Sequence, residues 1–347
     1  MTVESSEAAY RTLDELAAAP LWRHYGSLFS PEPRSVAVPH RWDYAALRPL
    51  MLHFTRTLSL DEAERRVLML VNPGMQDPPA TVNSLFAGIQ IILPGETAQA
   101  HRHTANAFRF IIEGASAYTT VDGERLHMNP GDLLLTPGWH WHDHRHEGND
   151  PMMWLDGLDF PLTNAFEAGF FELFGDRVQK SLVPDDLSSR RFIHGRLNPA
   201  WEQPERLSSP VGNYPWRETE RAFAAIADDA EGSESEGIVL EYTNPWTGGS
   251  VLPTMDCRIS RLRPHFHGQP RRTTASAVLH VVQGHGYVEI GEERFDFGPK
   301  DVLALPGWQP YRLVNPTAED TFVFSYSNRP ALQALGMWRD DQPAAGA

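Results

Sequence analysis

The sequence predicts a mainly β protein in which one β unit occurs twice, behind a helical arm. Proline and glycine make up 54 of 347 residues (28 plus 26), above the ~12% of an average protein, as expected of a turn-rich chain. From about residue 66, short Val/Ile/Leu/Phe runs alternate with turn sequences such as NPG, LPGE, VDGE and TPGW. Segment 108–139 aligns with segment 278–308, so the β unit is repeated at an offset of about 170 residues.

Composition excludes several classes of protein. The chain is 41% apolar and 22% charged, which is typical of a globular protein. With 45 acidic against 30 basic residues, the net charge is −15, and no long basic run offers a surface for nucleic acid. The single cysteine, Cys257, cannot form an internal disulfide. No stretch approaches the ~18 apolar residues of a membrane span, and the N-terminus lacks a signal-peptide pattern. We expect a soluble, cytoplasmic protein that binds neither nucleic acid nor membranes.

The helical arm is indicated by apolar residues at helical spacing over residues 6–19. Between the two β units, the aromatic run FFELF, several prolines and the polar stretch EGSESEG indicate a partly helical connector that ends in an exposed loop. The predicted boundaries are 1–65 for the arm, 66–165 for the first β unit, 166–236 for the connector, 237–330 for the second β unit and 331–347 for a tail.

The candidate functional residues are histidines. Seven of the 15 histidines fall within residues 101–146. The first β unit reads Gly95-x5-His101-x-His103 and then Gly131-x5-Pro-Gly-Trp-x2-His142. Residues i and i+2 of a strand point to one face, so His101 and His103 can direct two imidazoles at one point, and His142 can supply a third. Neutral imidazoles suit Zn, Cu, Fe and Ni, and three protein ligands leave positions open for chemistry.

Both glycine spacings and the Pro-Gly turn resemble the two motifs of the cupin superfamily. This resemblance implies a bicupin: two double-stranded β-helix (jelly-roll) barrels, with the helical arm before them and the partly helical connector between them. More narrowly, the chain resembles the bicupin ring-cleaving dioxygenases for gentisate, salicylate and 1-hydroxy-2-naphthoate. The stretches that carry this resemblance are AHRHTANAFRFIIEG (100–114), GDLLLTPGWHWHDH (131–144) and MWLDGLDFPL (153–162).

The family resemblance implies an Fe(II) ion held by His101, His103 and His142. Many cupins place a glutamate ligand four residues after the second histidine, and Ala107 stands there in this chain. A site of three histidines keeps the full +2 charge of the ion and leaves three open positions in octahedral Fe(II). A substrate that binds through two atoms, together with dioxygen, requires that number.

The resemblance also implies roles around the metal. Arg109 shares the strand parity of His103 and matches a family arginine that holds the substrate carboxylate; a structural ion pair is the alternative. Arg65, which is next to Arg66, matches a second substrate-binding arginine. His144 and Asp156 match positions that hydrogen-bond the aromatic substrate, although such a pair can equally orient a metal ligand.

Gln90 matches a family residue that contacts substrate or dioxygen, and an interior amide could equally be a hydrogen-bonding group of the barrel. Phe86 and Trp139 could form an aromatic wall of the pocket, or belong to an ordinary core. His140 and His146 receive no role, and we expect both at the surface.

The second β unit is predicted to lack a metal site. Its positions equivalent to the three histidines hold Arg271, Thr273 and Tyr311. His265 and His267 form another His-x-His pair, but they precede the strand-end glycine by 17 residues instead of 11. We therefore expect a structural or oligomer-building role for this barrel.

The function implied by the resemblance is Fe(II)-dependent, extradiol-type ring cleavage of a 2-hydroxybenzoate by dioxygen. The predicted reaction converts gentisate to maleylpyruvate by cleavage between the carboxyl- and hydroxyl-bearing carbons. Salicylate, a 5-substituted salicylate and 1-hydroxy-2-naphthoate remain open as substrates. A non-catalytic ligand-binding cupin, and a Zn or Mn cupin isomerase or thiol dioxygenase, are the alternatives from other classes. The resemblance also suggests a homotetramer.

Overall fold

The structure is a computed structural model that describes residues 3–59, 63, 65–192, 198–201, 207–226 and 230–341. Contacts divide the chain into two compact units, residues 1–34 and 35–347. The first unit contains helices α1 (Val3–Glu15) and α2 (Leu21–Leu28). Within it, Trp22 Nε1 donates to the Tyr10 hydroxyl at 3.3 Å. No helix in the described part of the chain combines the length and the apolar character needed to cross a membrane.

The second unit contains two β barrels. It starts with β1 (His40–Trp42) and α3 (Tyr44–Thr57). The strands of the first barrel are β2 (Arg66–Met69), β3 (Phe86–Ile92), β4 (Thr97–His103), β5 (Ala107–Glu113), β6 (Ala117–Val121), β7 (Glu124–Met128), β8 (Leu133–Thr136), β9 (His142–His146) and β10 (Met152–Leu158). The elements that follow are α4 (Phe160–Ala165), β11 (Phe171–Leu173), α5 (Leu187–Phe192), β12 (Asn213–Tyr214) and α6 (Trp216–Ile226).

The second barrel repeats this order. Its strands are β13 (Ile238–Glu241), β14 (Asp256–Leu262), β15 (Phe266–His267), β16 (Arg272–Thr273), β17 (Ala277–Gln283), β18 (Gly286–Ile290), β19 (Glu293–Phe297), β20 (Val302–Leu305), β21 (Tyr311–Asn315) and β22 (Thr321–Ser327). The chain then forms α7 (Arg329–Ala334) and β23 (Asp340–Asp341). Strands β5 and β17 start 170 residues apart, and β10 and β22 start 169 residues apart. The predicted mainly β fold with an internal repeat is confirmed.

Each barrel consists of two antiparallel sheets that face each other. In the first barrel the strand orders are β12-β8-β5-β10-β3-β2 and β11-β4-β9-β6-β7. In the second, the six-stranded sheet runs β1-β20-β17-β22-β14-β13, opposite the sheet β15-β21-β18-β19. Strand alternation gives the six-stranded sheet of the first barrel two different faces. Its inner face carries Gln90, Arg109 and Asp156, whereas its outer face carries apolar side chains such as Phe110 and Leu155.

The outer faces of the two six-stranded sheets form one shared core. The rings of Phe110 and Phe324 stack with centroids 4.2 Å apart, and Phe108 meets Tyr326 edge-on at 4.7 Å. The Tyr326 hydroxyl donates to the Phe86 carbonyl oxygen at 2.7 Å. The second barrel therefore supports the sheet of the first barrel that carries the candidate site residues.

The second compact unit begins at Ser35, before the arm boundary at residue 65 that the sequence suggests. Strand β1 pairs with β20 of the second barrel, so it extends that sheet. Arg41 Nη1 lies 2.7 Å from Asp301 Oδ2, and the Tyr44 backbone N–H donates to the other oxygen of the same carboxylate at 3.0 Å. These contacts join residues 40–57 to the barrels.

The polar stretch 231–237 is only partly the exposed loop that the sequence suggests. Glu231 and Glu234 are exposed, but Ser235 is buried. The Glu236 carboxylate accepts a hydrogen bond from the Tyr311 hydroxyl at 3.2 Å. Ion pairs with Arg258, at 3.3 Å, and with Arg271 also hold the Glu236 side chain against the second barrel.

His280 makes the stability of the fold depend on pH. It lies on β17, is buried, and meets the Phe110 ring edge-on at 5.5 Å. Burial lowers its pKa to about 3 from the usual 6.5. Between these values the unfolded chain binds a proton that the folded chain does not, so stability falls as pH drops below 6.5.

We expect His280→Leu to remove the part of the acid sensitivity that His280 contributes. From pH 7 to pH 5 the wild type should lose about 2 kcal/mol more unfolding free energy than the variant, as measured by urea denaturation. Equal pH dependence in the two proteins would contradict the assignment.

Candidate metal centre

The structure brings the three predicted metal ligands together inside the first barrel. His101 and His103 lie on β4, and His142 opens β9 opposite His101 in the antiparallel register. One nitrogen from each ring lies within 4.8 Å of the others. Ring centroids are 4.4 Å apart for His101 and His142, and 4.9 Å for His103 and His142. The described residues contain one such cluster of three metal-ligating side chains.

Backbone carbonyls orient the three rings. The Nδ1 atoms of His101, His103 and His142 lie 3.0, 2.8 and 3.0 Å from the carbonyl oxygens of Gln99, Ala105 and His140. A carbonyl oxygen only accepts, so the Nδ1 atoms of His103 and His142 carry the proton and their Nε2 atoms keep a lone pair for a metal. His101 has the same tautomer when its Nε2 binds a metal.

Burial and nearby positive charge keep these rings neutral, the form that binds metals. Burial lowers the pKa of His101 to about 2, and the Arg65 charge adds to this effect. Burial lowers the pKa of His103 to about 4, and that of His142 falls well below its usual value for the same reason.

The donor set fits a metal ion. Nε2 of His142 is buried and has no hydrogen-bond partner among the described residues. A buried polar atom without a partner is unfavourable, and a metal ion would satisfy it. The three histidines could therefore hold one metal ion.

Arg109 lies on β5 directly opposite Asp156 on β10. Its Nε is 3.4 Å from Asp156 Oδ1, and its Nη1 donates to the Thr136 hydroxyl. Burial raises the pKa of Asp156 while the Arg109 charge lowers it, and Trp154 Nε1 donates to the same carboxylate at 2.9 Å. Arg109 Nε makes no hydrogen bond among the described residues, so its 3.4 Å contact with Asp156 is an ion pair only.

Arg65 connects the three-histidine cluster with His144. Its Nη1 lies 3.3 Å from His144 Nε2, and its Nη2 donates to the Gln99 carbonyl at 3.2 Å. Nη2 also lies 2.6 Å from His101 Nδ1, which points at the same carbonyl. The neighbouring Arg66 instead pairs with Glu96 through two 2.7 Å contacts, so Arg65 is the arginine that faces the site.

Of the remaining predicted site residues, Gln90 and Phe86 are buried and Trp139 is exposed. Gln90 is buried on the same inner face as Arg109 and Asp156. Phe86 is buried, shares the strand face of Gln90 and contacts the Phe160 ring at 4.9 Å. Trp139 is 40% exposed and stacks on Arg102, so it is not a core residue.

Sequence reasoning missed strand β11, which forms the edge of the sheet that carries the three histidines. Strand β11 pairs with β4 so that Phe171 faces His103 and Leu173 faces His101 in register. The Phe171 ring stacks on the His101 ring at 5.1 Å. The aromatic run FFELF was a visible signal, but nothing local indicates which strand it joins.

Other histidines are accounted for by structural contacts. The expectation that His146 is at the surface is wrong: it is fully buried, and its Nε2 lies 2.5 Å from the Asp150 carbonyl oxygen. His140 is partly buried beside Asp122, with Nδ1 and carboxylate 2.6 Å apart. His265 and His267 are exposed on or beside β15, outside the three-histidine cluster.

In the second barrel, Arg271, Thr273 and Tyr311 occupy the positions of the three histidines. Tyr311 and Arg271 are partners in an antiparallel β-bridge, just as His142 and His101 are partners in the antiparallel register of the first barrel. Arg271 forms ion pairs with Glu236 and, at 2.7 Å, with Asp340. These groups satisfy one another, and none belongs to a metal-ligating cluster among the described residues.

Comparison with known proteins places this geometry in a family. A model of the cupin domain matches residues 88–157. The chain is 37% identical to gentisate 1,2-dioxygenase 1 of Aquipseudomonas alcaligenes, over 96% of this chain and 95% of the relative. It is 36% identical to 5-aminosalicylate 1,2-dioxygenase of a Comamonas species, over 98% of this chain and 91% of the relative.

A solved structure extends the likeness to the whole fold. Salicylate 1,2-dioxygenase of Pseudoaminobacter salicylatoxidans, solved as an adduct with gentisate, is 35% identical to this chain. The match covers 99% of this chain and 95% of the solved one, with a TM-score of 0.93. The bicupin fold expected from the sequence is confirmed by this match. The chain belongs to the family of 1,2-dioxygenases that includes the gentisate and salicylate enzymes.

Proposed function

We propose that the protein is an Fe(II)-dependent dioxygenase that cleaves the ring of a 2-hydroxybenzoate, with gentisate as the preferred substrate and maleylpyruvate as the product. One observation carries the proposal: three neutral histidines converge in a barrel whose opposite sheet holds a buried arginine, Arg109. The cluster suits a metal ion, and the arginine suits a carboxylate.

When bound, ferrous iron would supply the redox chemistry that joins an electron-rich aromatic ring to dioxygen. His101, His103 and His142 would hold the ion. No glutamate completes the set, because Ala107 occupies the position where many cupins place one. The metal therefore keeps more charge and more open positions for an anionic substrate.

The net charge of −15 does not attract an anionic substrate. Arg109 and Arg65 would provide the positive charge that attracts it at the site. Arg109 lies on a barrel strand and is held by Asp156 and Thr136, so its orientation is fixed before substrate arrives. Its planar guanidinium group can form two parallel hydrogen bonds to a carboxylate. Gln90, Phe86, His144 and Asp156 would complete the walls around the aromatic ring.

The choice of gentisate is supported by chemistry and by the relatives. A hydroxyl para to the first one raises the electron density of the ring, which makes gentisate the easiest of these substrates to oxidise. One similar protein is named for gentisate and another for 5-aminosalicylate. Salicylate, its 5-substituted forms and 1-hydroxy-2-naphthoate follow as alternatives.

Oxygen uptake tests the proposal. The full-length protein is reconstituted anaerobically with ferrous iron and then mixed with gentisate, 5-aminosalicylate, salicylate or 1-hydroxy-2-naphthoate at an oxygen electrode. We expect the highest kcat/KM with gentisate and one dioxygen consumed per ring opened. 3-Hydroxybenzoate and hydroquinone are the controls, because neither has a carboxylate beside a hydroxyl. Turnover of the controls, or no turnover of any 2-hydroxybenzoate, would contradict the proposal.

We also propose a cytoplasmic homotetramer. Large apolar side chains of the N-terminal unit are exposed in the single chain, among them Leu21, Trp22, Tyr25, Leu28 and Phe29. Such a concentration of exposed apolar surface is typical of an interface. Light scattering after size-exclusion chromatography should give about four times the chain mass of 39.0 kDa. A monomer mass would contradict the proposal.

A further inference from the structure

His144 is buried on β9, and a different polar side chain lies at each of its two ring nitrogens. Its Nδ1 lies 2.9 Å from the Thr119 hydroxyl oxygen on the neighbouring strand β6, directly opposite in register. Its Nε2 lies 3.3 Å from Arg65 Nη1. The Thr119 oxygen also lies 3.5 Å from Met128 Sδ, a hydrogen-bond acceptor. The ring therefore has a distinct partner at each nitrogen.

The partners determine which nitrogen carries the proton. A guanidinium only donates hydrogen bonds, so Nε2 of His144 must accept. Nδ1 then carries the proton and donates to Thr119, and the Thr119 hydroxyl donates onward to Met128. We propose that Thr119 is a positioning residue that holds His144 as its Nδ1–H tautomer, so that Nε2 faces the site as a hydrogen-bond acceptor.

The metal ligand beside Arg65 supports the same assignment. His101 needs its Nδ1 proton to leave Nε2 free for a metal, and this proton points at the Gln99 carbonyl. His101 Nδ1 therefore cannot accept from Arg65. Among the described residues around this guanidinium, the imidazole nitrogen left to accept is Nε2 of His144. Metal binding at His101 thus favours the contact between Arg65 and His144.

Packing prevents the His144 ring from leaving this arrangement. The ring is 1% exposed, and the Trp154 ring lies against it at 5.4 Å. Thr119 is fully buried, so no water competes for its hydroxyl. A hydrogen bond in such surroundings fixes geometry more strongly than one at the surface.

The consequence for chemistry rests on the proposed function. The single lone pair of His144 Nε2 accepts from Arg65, so the Nδ1–H tautomer orients the guanidinium that would meet the substrate. The other tautomer would present N–H to Arg65 and repel it. Thr119 would therefore affect turnover without touching substrate.

Nuclear magnetic resonance reads the tautomer directly. The full-length protein is loaded with zinc, which is diamagnetic, and its histidine rings are labelled with ¹⁵N. The His144 signals are assigned by their absence from His144→Gln. We expect a protonated Nδ1 and an unprotonated Nε2 in the wild type and in Thr119→Ser. In Thr119→Val the single tautomer should be lost. A protonated Nε2 in the wild type would overturn the proposal.

Kinetics of the iron-loaded enzymes provide the second readout. Thr119→Val should lower kcat about tenfold, the size of one lost hydrogen bond, with KM within about twofold of wild type. Thr119→Ser should restore kcat. Thr120→Val is the matched control, because Thr120 is equally buried on the same strand but bonds Asp143 instead of His144. A loss of kcat in the control equal to that in Thr119→Val would overturn the proposal.

The two experiments separate this inference from the function on which it rests. The tautomer is measured without substrate, so it can be confirmed even if no 2-hydroxybenzoate is consumed. Turnover by the wild type tests the function alone. A Thr119→Val enzyme with wild-type kcat and an unchanged His144 spectrum would refute the positioning role while leaving the function intact.

Discussion

Replacing His101 with alanine should abolish both metal retention and oxygen uptake. The variant loses one of three ligands, and even groups that only orient a ligand are worth ~10–100-fold in metal affinity. We expect bound iron after desalting to fall more than 100-fold, and gentisate turnover to fall with it. Metal binding also stabilises the folded state, by about 2.7 kcal/mol at a free metal concentration 100 times Kd. The rise in Tm on adding ferrous iron should therefore disappear.

Controls distinguish ligand loss from a disturbed fold. His101→Gln fills more of the same volume, and it should fail like the alanine variant while keeping the unfolding temperature of metal-free wild type. The double variant His265→Ala/His267→Ala removes the exposed His-x-His pair of the second barrel, and it should retain metal and activity. Iron bound at wild-type level in either His101 variant would refute the ligand assignment.

Replacing Arg109 with methionine should raise KM for gentisate about 100-fold, equivalent to ~2.7 kcal/mol. The guanidinium is buried on the inner face of the barrel, and its Nε has no hydrogen-bond partner among the described residues. A substrate carboxylate would be a second negatively charged partner of this guanidinium, beside Asp156. Because methionine keeps most of the volume but no charge, the effect should appear in steady-state kinetics as a change in substrate binding.

Loss of Arg109 also leaves Asp156 buried without its ion pair, which is destabilising. The double variant Arg109→Met/Asp156→Asn removes both charges, so it should recover stability while KM stays high. Arg145→Met is the matched control, because Arg145 is an exposed arginine on β9 that pairs with Glu147. An unchanged KM in Arg109→Met would remove this residue from carboxylate binding.

The elements that the sequence could predict are those with a local or repeated signal. The offset of about 170 residues identifies two copies of one unit, and the structure shows the same strand order in both. The i, i+2 spacing of His101 and His103 predicts one face of a strand, and both rings do lie beside His142. The same parity applies to His142, His144 and His146, so burial of His146 could have been predicted from its spacing.

Long-range pairing of very short strands could not be predicted. Strands β1, β11 and β23 contain three, three and two residues, too few for a hydrophobic period to appear. Each is stabilised by pairing with a barrel strand, β20, β4 and β16 respectively. Such pairing satisfies backbone groups at sheet edges, which depends on the completed barrel.

The hydroxyl groups around the site carry no sequence signal either. Thr119 and Thr136 lie in strands, where threonine is common for its shape alone. Only the register of β6 with β9 and of β5 with β8 brings their hydroxyls to His144 and Arg109. Residues that orient others are recognised once the sheets are assembled.

Anomalous diffraction at the iron edge would test the central claim most directly, using crystals of the full-length protein loaded anaerobically with ferrous iron. We predict a single peak per chain, bonded to Nε2 of His101, His103 and His142, and none in the second barrel. No peak between these three rings, or a peak at His265 and His267 instead, would contradict it.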